Sequence, residues 1–125
     1  MGELQEQIRV SHFIKSAYPN IIFCSDLSGL RLPISVAKLI KLLRSGNGFT
    51  DMFIFKPNPR YHGLFIELKK TDEKLFKKNG EYKTEHLVEQ ADMINRLNSE
   101  GYYACFSIGE DQAIQTINDY MNNLL

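Results

Sequence analysis

The segment Gly63–Lys70, GLFIELKK, constrains this chain more than any other stretch. Its apolar run has strand length and lies at hairpin distance from an earlier apolar run, so we read a strand from Tyr61 to Lys70. Side chains on a strand alternate between faces. Leu64, Ile66 and Leu68 therefore point one way, and Glu67 and Lys69 the other. An acid and a base then share one face in the middle of an otherwise apolar strand. The same spacing also suits a solvated cross-strand pair on an edge strand, so its context has to decide between the two.

The flanking segments supply that context. Val10, Phe13, Ile14 and Ala17 make an apolar stripe at helical spacing, giving a helix from Glu3 to Ala17 that Tyr18-Pro19-Asn20 ends. Extended backwards, the stripe reaches Gln7 and Glu3, where a surface acid is not expected. A short strand over Ile21–Cys24 follows, then a polar loop, SDLSGLRL. Pro33 opens a second helix running to Leu43, with Val36, Leu39, Ile40 and Leu43 apolar. A glycine-containing turn, Ser45 to Gly48, leads into a strand from Asp51 to Phe55. After the Tyr61–Lys70 strand comes a polar, lysine-rich stretch, TDEKLFKKNGEYKT, read as an exposed loop. Thr84 caps a helix to Ser99 whose apolar face holds Leu87, Ala91, Ile94 and Leu97, with Gln90 among them. Gly101 ends that helix; Tyr102–Ile108 is a strand and Glu110–Leu124 a helix. The order α-β-α-β-β-α-β-α places the chain in the α/β class, a mixed sheet flanked by helices.

At 125 residues this is a single domain, 1–125, with no repeat or linker. No apolar run reaches membrane-spanning length and no signal-peptide pattern opens the chain, so an intracellular, cytoplasmic address is expected. Formal net charge is zero, which argues against a global electrostatic grip on nucleic acid but leaves local patches open. Cys24 and Cys105 lie in strand-like runs without ligand-spaced partners and read as buried small hydrophobes. His12, His62 and His86 are scattered and read as surface or packing residues, and Tyr102, Tyr103 and Phe106 as sheet core.

If the strands holding Asp51 and Glu67 pair as a hairpin, the two carboxylates approach. They tolerate that best with a cation between them, and an all-oxygen set favours Mg²⁺ or Mn²⁺ over zinc. Such an ion polarises a phosphodiester and lowers the pKa of an attacking water. Lys69, on the same face, is placed to orient that water or neutralise charge on phosphate.

These residues resemble the VRR-NUC family, a branch of the PD-(D/E)XK nucleases, along nearly the whole chain. The resemblance runs through Glu3 and Gln7 on the first helix, Tyr18-Pro19, the basic stretch Arg31 to Gly48, Gly48-Phe49-Thr50-Asp51, Glu67-Leu68-Lys69 and Gln90. Thr50 stands where the family usually has proline, which is no ligand. Glu6 also points partly inward; the spacing to Gln7 and Pro19 favours Glu3.

The resemblance implies a restriction-endonuclease-like fold and a metal-dependent endodeoxyribonuclease. Asp51 and Glu67 would hold the metal with the Leu68 backbone carbonyl, and Glu3 would complete the site directly or through water. Lys69 would position the water, and Gln90 would support the site or contact phosphate. Single-domain members of this kind, common in phages and bacteria, look like Holliday-junction resolvases acting as homodimers, since symmetric cuts need two sites. Arg31, Lys38, Lys41 and Arg44 before the site, and Lys70, Lys74, Lys77, Lys78 and Lys83 after it, are candidate phosphate contacts; a solvated helix face and a solubilising loop are their plainer reading. A nicking or flap nuclease, and a non-catalytic junction binder on the same fold, are the alternatives.

Overall fold

The structure, a computed structural model, describes residues 2–26 and 32–125. Its elements follow the expected order: α1 (Glu3–Ala17), β1 (Phe23–Ser25), α2 (Ile34–Leu42), β2 (Met52–Ile54), β3 (Leu64–Lys69), α3 (Glu85–Ser99), β4 (Tyr103–Ile108) and α4 (Glu110–Met121). β1 lies slightly later than its apolar run suggested, and Pro33 caps α2 instead of opening it. The four strands form one mixed sheet in the order β1-β2-β3-β4. β1 and β2, and β2 and β3, are antiparallel; β3 and β4 are parallel. A parallel neighbour needs a long crossover, which α3 supplies.

The core lies between one face of this sheet and the pair α1 and α4. Val10 and Ile14 of α1, Ala113, Ile117 and Tyr120 of α4, and Met52, Ile54, Leu64, Ile66 and Leu68 of the sheet are all buried. Each large aliphatic removed from water here contributes about 1.5–3 kcal/mol. Tyr120 is fully buried, and its hydroxyl donates to the Lys56 carbonyl at 2.7 Å, so its one polar atom is satisfied.

Two buried polar residues bind α1 to the rest. Gln7 Nε2 donates to Ser25 Oγ and to the Asp26 carbonyl, both at 2.7 Å, fixing the end of β1 against the helix. Glu6 accepts from the Thr71 amide and hydroxyl and from the Glu110 amide at the start of α4. Burial pulls its carboxyl upward in pKa, but these donors outweigh that and hold it below the usual carboxylate range. The inward acid next to Glu3 is thus a structural latch.

α2 behaves differently. None of its residues is buried, and Ile34, Leu39, Leu42 and Leu43 are exposed, so its apolar pattern does not mark a core-facing stripe. Cys24 is also exposed, contrary to the expectation of burial: β1 is an edge strand and nothing covers that side chain among the described residues. Cys105 is largely enclosed, and burial lifts its thiol to a pKa of about 11, away from nucleophilic use.

Candidate metal centre and nucleic-acid cleft

The second face of the sheet is where the chemistry-bearing residues meet. Met52 pairs with Ile66 across β2 and β3, so Asp51, one residue before β2, comes level with Glu67. Asp51 Oδ2 accepts from the Leu68 amide at 2.9 Å, which locks the carboxylate beside the β3 backbone. The first turn of α1 then brings Glu3 over the same point. One carboxylate oxygen from each of Glu3, Asp51 and Glu67 lies within 4.8 Å of the others. Asp51 and Glu67 are almost completely buried and Glu3 is half-buried.

That arrangement is electrostatically costly for the protein alone. Burial, and then the charge of Asp51, push the Glu3 carboxyl up to a pKa of about 7. Burial pushes Glu67 well above the ordinary value, and its hydrogen bond to Asp51 and the Asp51 charge push it further. Acids raised by burial and by one another are the signature of a place that awaits positive charge. One such charge is present: Lys69 Nζ lies 4.0 Å from Glu67 Oε2, in a side chain only 9% exposed. The all-oxygen donor set fits a hard divalent cation, and no histidine or cysteine joins it among the described residues.

Gln90 reaches the centre from α3. Its Nε2 donates to Glu67 Oε1 at 2.9 Å and lies 3.2 Å from His86 Nε2. Its Oε1 is buried with no hydrogen-bond partner among the described residues, so the amide offers one unused acceptor. α3 is set at this distance by Gly48. A Cβ there would fall 2.5 Å from the Glu89 carbonyl oxygen and 2.8 Å from the Gln90 nitrogen, and the residue has φ of 80°. Only glycine combines that backbone with that approach.

The centre opens into a cleft of about 530 Å³. Glu3, Asp51, Glu67, Lys69 and Gln90 all line it, together with Lys41 and Arg44 from the end of α2. Arg44 is ion-paired to Asp26 and lies over the Phe49 ring, 5.8 Å from its centroid. Lys38 is exposed on α2 and does not line the cleft. Lys70 and Lys74 line an adjoining groove, Lys77 borders a further one, and Lys78 is exposed. Arg31 lies outside the described residues.

Two cleft residues, His86 and Gly48, have roles in the structure that the sequence reading did not give them. His86, expected to be a bystander, lines the cleft beside Gln90; their i, i+4 spacing on α3 was the available signal. Gly48 was read as part of a turn, and its contact with α3 joins elements too far apart in sequence for spacing to reveal.

No family model and no curated protein matches the sequence. Among solved structures, one described as a VRR_NUC domain protein aligns over 98% of this chain and 89% of its own, with a TM-score of 0.67 and 26% identity. The chain has the VRR-NUC fold. The α/β architecture agrees with the one read from the sequence.

Proposed function

We propose that this protein is a divalent-metal-dependent DNA endonuclease acting on branched DNA. The observation that carries the reading is the convergence of Glu3, Asp51 and Glu67 within 4.8 Å, with the buried Lys69 beside them, at the base of an open cleft. Asp51, Glu67 and the Leu68 carbonyl would hold Mg²⁺ or Mn²⁺, with Glu3 completing the set. A bound divalent ion supplies Lewis acidity toward phosphate and a more acidic water. Lys69 donates hydrogen bonds to the attacking water or to the phosphate oxygen that gains charge. Gln90 holds Glu67 in place through its amide nitrogen. Lys41 at the cleft, and Lys70 and Lys74 beside it, neutralise phosphate and give affinity without sequence reading.

A homodimer on a four-way junction is the most specific form of this reading, because paired symmetric cuts need two sites. A nicking or flap nuclease uses the same centre. A non-catalytic DNA-junction binder is the reading from another class, and the complete acidic set with its buried lysine speaks against it.

The test is cleavage of a labelled four-way junction and a matched linear duplex, with Mg²⁺, Mn²⁺ or chelator, by wild type and Asp51→Ala. Metal-dependent cutting of the junction that Asp51→Ala abolishes is the expected result. Equal cutting of both substrates removes the junction assignment, and binding without cutting in any metal favours the non-catalytic binder. A light-scattering mass of one chain counts against the dimer.

A further inference from the structure

The lysine-rich stretch after β3 is an ordered hairpin. Phe76 and Tyr82 form an antiparallel bridge, Lys83 N–H donates to the Leu75 carbonyl at 2.8 Å, and Lys77 N–H donates to the Glu81 carbonyl at 2.7 Å. Gly80, at φ 88°, makes the turn. Three rings run outward through it. Phe106 lies opposite Glu67 in the β3–β4 pairing, Tyr82 packs against Phe106 at 6.1 Å, and Phe76 stacks on Tyr82 at 4.6 Å with the planes 31° apart. Tyr82 against Phe106 already anchors the hairpin. Phe76 is the outermost ring and is 49% exposed.

A groove joins this hairpin to the metal centre. It is lined by Lys69 and His86, which also line the cleft, and continues past Lys70, Lys74 and Lys83 to Thr84. Its four lysines face two acids, Asp72 and Glu73, so it favours a polyanion. Lys74 and Lys83 of this groove flank the hairpin's Phe76–Tyr82 bridge in the chain, and an aromatic face beside a basic track suits an unpaired base, because a paired base hides its faces in the stack.

We propose that Phe76, stacked on Tyr82, is a platform for an unpaired base of a DNA strand that leaves the cleft along Lys70, Lys74 and Lys83. It rests on the nuclease reading and, among its forms, favours a flap or other branched DNA with single-stranded segments next to the cut over a fully paired four-way junction.

The test uses the full chain and an oligonucleotide with 2-aminopurine in an unpaired segment, in chelator so that no strand is cut. Wild type is expected to quench the fluorescence. Phe76→Ala should lose the quench and bind single strand on the order of tenfold more weakly, and Phe76→Tyr should retain both. A fully paired duplex should bind Phe76→Ala and wild type alike. Absence of binding or quench by wild type, or a quench unchanged in Phe76→Ala, overturns the platform. Metal-dependent cutting, followed in parallel, separates the two readings. Cutting with no quench removes only the platform, and a Phe76-dependent quench without cutting removes only the nuclease.

Discussion

Both faces of β3 hold buried side chains, but on opposite terms. Leu64, Ile66 and Leu68 on one face are at most 1% exposed and meet α1 and α4 in a dry core. Glu67 and Lys69 on the other are 1% and 7% exposed, yet they meet acids, an amide and an open cleft. The first face contributes stability from burial itself. The second tolerates burial because each charged group is held by another: Glu67 by Gln90 and Lys69, and Asp51 by the Leu68 amide. Burial alone therefore does not separate core from site; the company of the buried group does.

Substitutions on the two faces should break differently. Asp51→Ala is expected to lower metal-dependent cleavage by at least roughly 10²–10³-fold. Its circular dichroism should remain that of the wild type, whereas loss of fold would place Asp51 in the framework. Ile66→Ala on the opposite face should cost about 2–5 kcal/mol in urea unfolding while cleavage per folded molecule is kept. If Ile66→Ala instead removes activity at full stability, the division between faces is wrong.

Gly48→Ala tests how α3 is held to the second face. A Cβ against the Glu89 carbonyl, at positive φ, should cost about 1–3 kcal/mol and lower cleavage by moving Gln90.

The titration of the site gives a sharper comparison. Glu3 and Glu67 have folded-state pKa values above their unfolded ones, with Glu3 at about 7. Stability linked to Glu3 is therefore full below an ordinary carboxylate pKa near 4.5 and is lost as pH rises through about 7, and that linked to Glu67 has the same sign. Glu6, held low, has the opposite sign and matters only in acid. In chelator, Tm should fall between pH 5 and pH 8, and the Tm increment from Mn²⁺ should grow over the same range. A flat profile in chelator would show that these acids do not oppose folding.

The smallest effect is expected at Thr50, whose hydroxyl is buried with no partner among the described residues. Thr50→Val should raise stability by about 1 kcal/mol in urea unfolding, with cleavage unchanged. A loss instead would show that this hydroxyl is satisfied by water or serves the cleft.

Much of the fold was legible because hydrophobic period reports burial. The spans of α1 and α3, the Thr84 cap, the element order and the alternation along β3 all follow from local pattern. The same signal failed on α2, where Val36, Leu39 and Leu43 of the expected stripe stand exposed. Periodicity records which side chains share a face, not whether anything packs there.

By itself, the sequence determined that Glu67 and Lys69 share a face, that Asp51 lies at hairpin distance and that Glu3 heads an inward stripe. Only the tertiary structure decided which inward acid lies beside Asp51 and Glu67. Glu6 is taken by Thr71 and the start of α4, leaving Glu3 to meet Asp51 and Glu67. It alone joined Gly48 to α3 and turned a lysine-rich loop into a hairpin anchored on Phe106. The physical reason is range: strand alternation and helical period act over a few residues, whereas these contacts join groups distant in the chain, and only packing brings them together.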